Sequence, residues 1–204
     1  CACTSAMGER RVVLVRHGQY VDREEGSLDL TPLGREQARR AGRALLHVAF
    51  DVAYVSTLVR AETTAALVLA GRHPRIPLKR TSVLRECMPT SVPGIVVPAS
   101  EIKKGRIQAD RAFARFFAKT RQNRTELLVC HGNIIRYLIC RALGVPGKTW
   151  ARLGTHHAAI SEIRVRADGQ TRVIAYNDTG HLLPKQRTVS GVAAAAIAAM
   201  KLRR

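Results

Sequence analysis

The stretch Leu14-Val15-Arg16-His17-Gly18-Gln19 sets a cation, an imidazole and a glycine directly after the apolar, β-branched run Val12 to Val15. A buried strand that ends in this way carries a nucleophile to the rim of a sheet. The chemistry that suits such a group is phosphoryl transfer to His17. A phosphoryl group spreads negative charge over its oxygens in the transition state, so catalysis is mostly positioning and electrostatic stabilisation. The planar forks of Arg16 and Arg60 can each bind two phosphate oxygens and stay charged. They also disfavour protonation of His17, which must attack as the neutral imidazole. Gly18 would let the backbone approach the ligand, with Gln19 beside it as a further expected substrate contact, and His131 would donate a hydrogen bond to a phosphate oxygen. Gly132 and Asn133 follow at a helix start, where free N–H groups face an anion. Glu86 would protonate the leaving alkoxide and then activate water. Taken singly, Arg60 is also what a surface helix carries, and Glu86 what a solvated loop carries. A Cys130–His131 thiol–imidazole pair is discounted, because neighbouring strand residues face opposite ways.

The elements that would position these groups alternate. Arg11 to Val15, Phe50 to Val55 and Glu126 to Cys130 read as strands, the first and last apolar enough to be covered on both faces. Thr31-Pro32 opens a helix carrying Leu33, Gln37, Ala41 and Leu45 on one face. Ser56-Thr57 is expected to cap a second helix that runs to about Ala70, with Arg60 in its first turn. Residues 78–84 read as a short strand leading to Glu86, and residues 87–100 as a loop long enough to be functional. Helices follow over about Glu101–Lys119, with Ile107, Phe113, Phe116 and Phe117 as core contacts, and over Ile134–Leu143. Ala159–Arg166 and Thr171–Tyr176 read as a hairpin. The pattern predicts an α/β fold, a three-layer α/β/α sandwich around a mostly parallel sheet, with its ligand beyond the carboxyl ends of the strands. Residues 1–8 are expected to be a loose terminus, 9–187 the domain, and 188–204 an alanine-rich basic tail that is packed or frayed rather than bound to a membrane.

The 204 residues carry 34 Lys and Arg against 15 Asp and Glu, a net charge of +19 that favours anionic partners. Few aromatic residues are available to stack on bases, so no specific nucleic-acid partner is expected. Cysteines stand at 1, 3, 87, 130 and 140, without metal-ligand spacing, and reduced intracellular thiols are the expectation. There is no His-x-x-x-His and no Cys/His cluster, so neither metal nor cofactor is expected. The chain opens on Cys1, which reads as a piece or a processed form of something longer; a targeting segment would then lie outside it.

Arg16-His17-Gly18, Leu30 to Ala38, Ser56 to Thr64, Leu84-Arg85-Glu86 and Val129 to Asn133 stand in an order that resembles the histidine phosphatase superfamily, which includes cofactor-dependent phosphoglycerate mutase. The resemblance runs from residue 11 to about 187. It implies His17 as phospho-acceptor, Arg16, Arg60 and His131 as the phosphate pocket, and Glu86 as proton donor. Arg16 to Tyr20, Asn133 to Tyr137, Cys140 to Leu143 and Asn177 to Gly180 resemble in particular a branch of mitochondrial protein Ser/Thr phosphatases. That branch has an N-terminal membrane anchor and a Trp-Asp-rich activating motif, which these residues lack. Its paired asparagines near the pocket are replaced by His156-His157; the two histidines could add phosphate contacts or a pH-dependent charge, and His156 is counted among the expected substrate contacts.

Three functions are weighed. The first is a metal-independent phosphomonoesterase acting on phospho-Ser/Thr proteins, as a homo-oligomer in mitochondria or cytoplasm; the short 87–105 segment suits an open site. The second is a phosphatase of a small sugar or nucleotide phosphomonoester. The third is a non-catalytic basic module that binds nucleic acid or an acidic membrane.

Overall fold

In the computed structural model of this chain, the described residues are 8–20, 28–71, 76–92 and 95–189. Strand β1 (Arg10–Arg16) leads to helix α1 (Pro32–Ala44), β2 (Val52–Ser56), α2 (Val59–Leu69) and β3 (Leu78–Thr81). Then come α3 (Ala99–Phe116), β4 (Arg124–Cys130), α4 (Gly132–Ala142), β5 (Ile160–Val165) and β6 (Thr171–Asp178). Short 3₁₀ turns follow β3, α4 and β6.

The six strands form one sheet in the order β3-β2-β4-β1-β5-β6. β3, β2, β4 and β1 run parallel, as expected, while β5 is antiparallel to β1 and β6 to β5. The antiparallel pairing of β6 with β5 follows from the short link 166–170, since a tight turn can join only antiparallel strands. The alternating faces of β1 divide the core. Val12 and Leu14 pack with Phe116 of α3 and Ile134, Ile135 and Leu138 of α4. Val13 and Val15 pack on the other face with Ala41 of α1 and Ala61, Ala65 and Val68 of α2. This is the predicted three-layer sandwich.

Register does the positioning. Val15 pairs with Val129 and Arg16 with Cys130, while Val129 also pairs with Val55. Arg16, Cys130 and Ser56 therefore end three adjacent strands at one level, and His17 and His131 follow together.

Several expectations need correction. Ser56 is the last residue of β2, and α2 begins at Val59 after Leu58, which makes no side-chain cap. Ile107 is 43% exposed, because the buried face of α3 is Gly105, Ala109, Ala112 and Phe116, and Ile107 lies off that stripe. Gly8 is not loose, since its N–H bonds Thr120 O at 2.9 Å. Thr188 also belongs to the body, accepting at its carbonyl from the His157 N–H at 2.9 Å. Thr31 caps α1 as predicted, its Oγ1 accepting from Gly34 N at 2.9 Å. Cys1, Cys3 and the tail from 190 lie outside the described residues. Cys87, Cys130 and Cys140 are free thiols. Among the described residues no helix is long and apolar enough to cross a membrane.

Candidate active site

His17 is 1% exposed, held by its N–H to Cys130 O at 2.9 Å. Its Nδ1 lies 2.8 Å from Gly18 O. A carbonyl only accepts, so Nδ1 carries the ring proton and Nε2 the lone pair. Arg60 Nε donates to that Nε2 at 3.3 Å. Burial pushes the His17 pKa well below the ordinary histidine value, and His131, Arg16 and Arg60 push it the same way, against the Gly18 carbonyl. The ring is thus neutral, with Nε2 turned to a guanidinium.

The other groups arrive from separate elements. Arg60, in the first turn of α2, stacks over Tyr20 with its guanidinium carbon 4.6 Å from the ring centroid. Thr64, one turn on, donates to Arg60 O at 2.7 Å and accepts the Gly18 N–H at 3.0 Å, coupling α2 to the turn after β1. Arg16 donates to Thr155 O and passes beside Gly132, where a Cβ would sit 3.3 Å from Arg16 Nε. Burial lowers its pKa and Glu86 raises it. His131 lies 5.0 Å from His17, ring to ring. Its Nε2 shares a 2.7 Å hydrogen bond with Ser56 Oγ, and its Nδ1 is buried without a partner. Burial, Arg60 and Arg16 hold its pKa well below the usual range. Glu86 Oε1 accepts the Asn133 N–H at 3.1 Å, one of the unpaired donors that open α4. Burial raises the Glu86 pKa, and Arg16, Arg136 and Arg60 oppose the rise.

The five groups expected to do chemistry, Arg16, His17, Arg60, Glu86 and His131, meet at the carboxyl edge of the sheet. The expected substrate contacts are used differently. A Cβ on Gly18 would lie 2.3 Å from Gly34 O, so this glycine serves the close approach of α1. Gln19 is anchored to α1 too, its N–H on Gln37 Oε1 at 2.8 Å and its side chain accepting from Thr31 Oγ1 at 2.9 Å. Gly132 makes room for Arg16, and Asn133 donates its N–H to Glu86 and accepts at Oδ1 from Arg136. His156 turns to β6, where its N–H bonds Asn177 Oδ1 at 2.7 Å and its ring rests on the same side chain.

Sequence reading missed Ser56, Tyr20 and Arg136 as site neighbours. Arg136 is 1% exposed over Trp150. Its signal was a cation inside the apolar run Ile134 to Ile139. Burial lowers its pKa to about 10, against the pull of Glu86. The assembled pocket offers guanidinium and imidazole donors around an unprotonated Nε2, with a carboxyl group beside them.

Known proteins share this arrangement of sequence and fold. The model of the histidine phosphatase superfamily (branch 1) matches residues 12–104 and 90–179. The chain is 34% identical over 188 residues to the mitochondrial serine/threonine-protein phosphatase Pgam5 of Drosophila persimilis, over 85% of this chain and 64% of that protein. To the protein of the same name from Caenorhabditis elegans it is 36% identical over 193 residues, 89% of this chain and 67% of the relative. The chain thus spans about two thirds of the length of these curated relatives. The solved alpha-ribazole phosphatase of Shigella flexneri has the same fold, with a TM-score of 0.68 at 21% identity over 82% of this chain and 96% of that one.

Proposed function

Because this chain belongs to branch 1 of the histidine phosphatase superfamily, we propose that it hydrolyses phosphomonoesters through a phosphohistidine at His17, with phosphorylated Ser and Thr of proteins as substrates. One observation carries the reading. The Gly18 carbonyl fixes the His17 proton on Nδ1 and leaves the Nε2 lone pair facing Arg60, so the nucleophile is prepared before substrate arrives.

In the first step Nε2 attacks phosphorus and the ester P–O bond breaks. Glu86 gives its proton to the leaving oxygen. Arg60 Nε–H, which faces Nε2 in the free site, moves to a phosphoryl oxygen, joining Arg16 and His131. In the second step Glu86, now a carboxylate, takes a proton from water. The water oxygen attacks phosphorus, the N–P bond breaks, and phosphate leaves with His17 neutral again. Burial already raises the Glu86 pKa, and a bound dianion raises it further. The guanidinium and imidazole donors meet the phosphoryl charge, so no metal is invoked.

The names of the fly and nematode relatives support the protein substrate and a mitochondrial setting. The net charge of +19 suits substrates rich in acidic and phosphorylated side chains. A panel of phosphoserine and phosphothreonine peptides beside sugar and nucleotide phosphates, run with chelator, tests the proposal. Higher kcat/KM on the peptides is expected; a clear preference for a metabolite points to the small-molecule alternative.

A further inference from the structure

Beside the proton donor stands a cation that the two chemical steps leave unused. Arg136 of α4 is 1% exposed, its guanidinium carbon 4.2 Å from the Trp150 ring centroid. Trp150 is itself buried and fixed, its Nε1–H donating to Thr90 Oγ1. A buried cation is costly and normally sits against a carboxylate. Arg136 does not. Its Nε donates to Gly132 O at 3.3 Å, one guanidinium nitrogen to Leu153 O at 3.2 Å and the other to Asn133 Oδ1. All three acceptors are neutral, and among the described residues Arg136 forms no ion pair. The carboxyl group whose charge acts on it is Glu86.

These bonds brace the start of α4. The Arg136 side chain runs back along its own helix to the first turn, the direction that helical side chains prefer. There it grips Asn133, whose backbone N–H is the donor that Glu86 Oε1 accepts at 3.1 Å. A guanidinium only donates, so the Asn133 atom it meets is the amide oxygen. Trp150, in the 3₁₀ turn Gly147–Arg152, and the Leu153 carbonyl hold the other side of the guanidinium. A shift of Arg136 would carry Asn133 with it, and so the N–H on Glu86.

Charged and titratable groups face Glu86 from several elements. Arg16 ends β1, Arg60 lies in α2 and Arg136 in α4, and all three favour the carboxylate. Cys87 and Cys130 stay neutral, since burial raises both thiols, Cys87 to about 12. Tyr176 of β6, which faces Arg136 and Arg16, is likewise raised to about 12 by burial. His17 and His131 are neutral too. Once His17 carries the phosphoryl group, its charge is matched by Arg16 and Arg60. Arg136, held by neutral acceptors, is left to favour the carboxylate that must activate water.

We propose that Arg136 is a positioning residue for Glu86: braced by Trp150 and Leu153, it fixes the Asn133 N–H on the carboxyl group and lends its unmatched charge to the carboxylate form that drives the second step. This rests on the reading of the site as a phosphohistidine phosphatase and adds to it the residue that readies Glu86 for water.

The test is the decay of the phosphoenzyme as a function of pH. The full chain, Arg136→Met and Arg136→Lys are each mixed rapidly with p-nitrophenyl phosphate, whose leaving group needs no proton, and burst and decay are followed from pH 5 to 8. Decay needs Glu86 as a carboxylate, so it fails below the Glu86 midpoint, and removing a nearby cation makes the carboxyl group keep its proton to higher pH. Arg136→Met should therefore move the midpoint of decay upward by about one pH unit. Arg136→Lys keeps the charge but lacks the fork that spans Leu153 and Asn133. It should keep the midpoint and slow decay several-fold at high pH, with the burst unchanged. A midpoint unmoved in Arg136→Met overturns the proposal, as do burst and decay slowed equally in both variants; the phosphatase reading survives either result. Should Arg136→Met fail to fold, Arg136→Lys decides: slowed decay behind an unchanged burst supports the proposal, and unchanged decay, or a burst slowed equally, overturns it. Absence of any phosphoenzyme in the unsubstituted chain overturns the phosphatase reading and this proposal with it.

Discussion

Glu86 has two tasks that pull its proton in opposite directions: it must hold one as the ester oxygen leaves and release it before water attacks. Its setting matches the conflict, since burial raises its pKa while Arg16, Arg136 and Arg60 hold the rise in check. Glu86→Gln keeps the acceptor that Asn133 N–H uses but can neither give a proton nor take one from water. We expect kcat on a phosphoserine peptide to fall about 10²- to 10⁴-fold, the usual worth of a positioned acid–base group. With p-nitrophenyl phosphate, whose leaving group needs no proton, the first step should survive and phosphoenzyme should accumulate, visible as a burst in rapid mixing. Equal losses on both substrates, with no burst, would argue against the dual role. Of these residue-scale features, the chemical types were legible and the contacts were not. Arg16, His17, Glu86 and His131 declare themselves by following predicted strands. His156 and His157 are equivalent on paper, and only the left-handed turn at Ala158 decides which one faces His17.

At the scale of elements, the site depends on how closely α1 approaches the turn after β1. A Cβ on Gly34 would lie 2.0 Å from Gln19 O, a backbone atom that cannot swing aside. Gly34→Ala should therefore push α1 off the turn, loosening Gln19 from Gln37. A loss of about 1–3 kcal/mol in urea unfolding is expected, with a fall in kcat/KM. Gly144→Ala is the control. Its φ is +68° with open space around it, so it should lose about 1 kcal/mol and keep full activity. Equal activity losses in the two would contradict the account. The parallel strands and their helices were readable from alternating apolar runs and from the Thr31-Pro32 cap. The register that levels Arg16, Cys130 and Ser56 was not, because pairing depends on tertiary contact rather than local pattern. For the same reason Ser56 read as a helix cap, when its hydroxyl serves His131.

For the molecule as a whole, the site leaves a mark on stability. His17, His131 and His157 are all buried with pKa values below that of an unfolded histidine, near 6.5. Between that value and the folded pKa, the unfolded chain binds protons that the folded chain refuses, so stability falls as pH falls. Each group contributes a slope of up to about 1.4 kcal/mol per pH unit. Glu86 and Glu126, with raised pKa values, act in the opposite sense and soften the slope nearer pH 4.5. Urea midpoints are therefore expected to drop steadily from pH 6.5 to 5, and a flat profile would contradict the buried neutral imidazoles. The charge of +19 works at the same scale, since it speeds the encounter with anionic substrates and should make KM rise with salt while kcat holds.

The central claim is that Nε2 of His17 carries the phosphoryl group, and the most direct test is to trap it. The chain is mixed with labelled substrate, quenched in alkali, digested, and the labelled peptide is sequenced by mass spectrometry. The account predicts an acid-labile phosphate on His17, attached at Nε2 and absent from His17→Ala, which should also have lost turnover. Label on another residue, attachment at Nδ1, or full turnover in His17→Ala would contradict it.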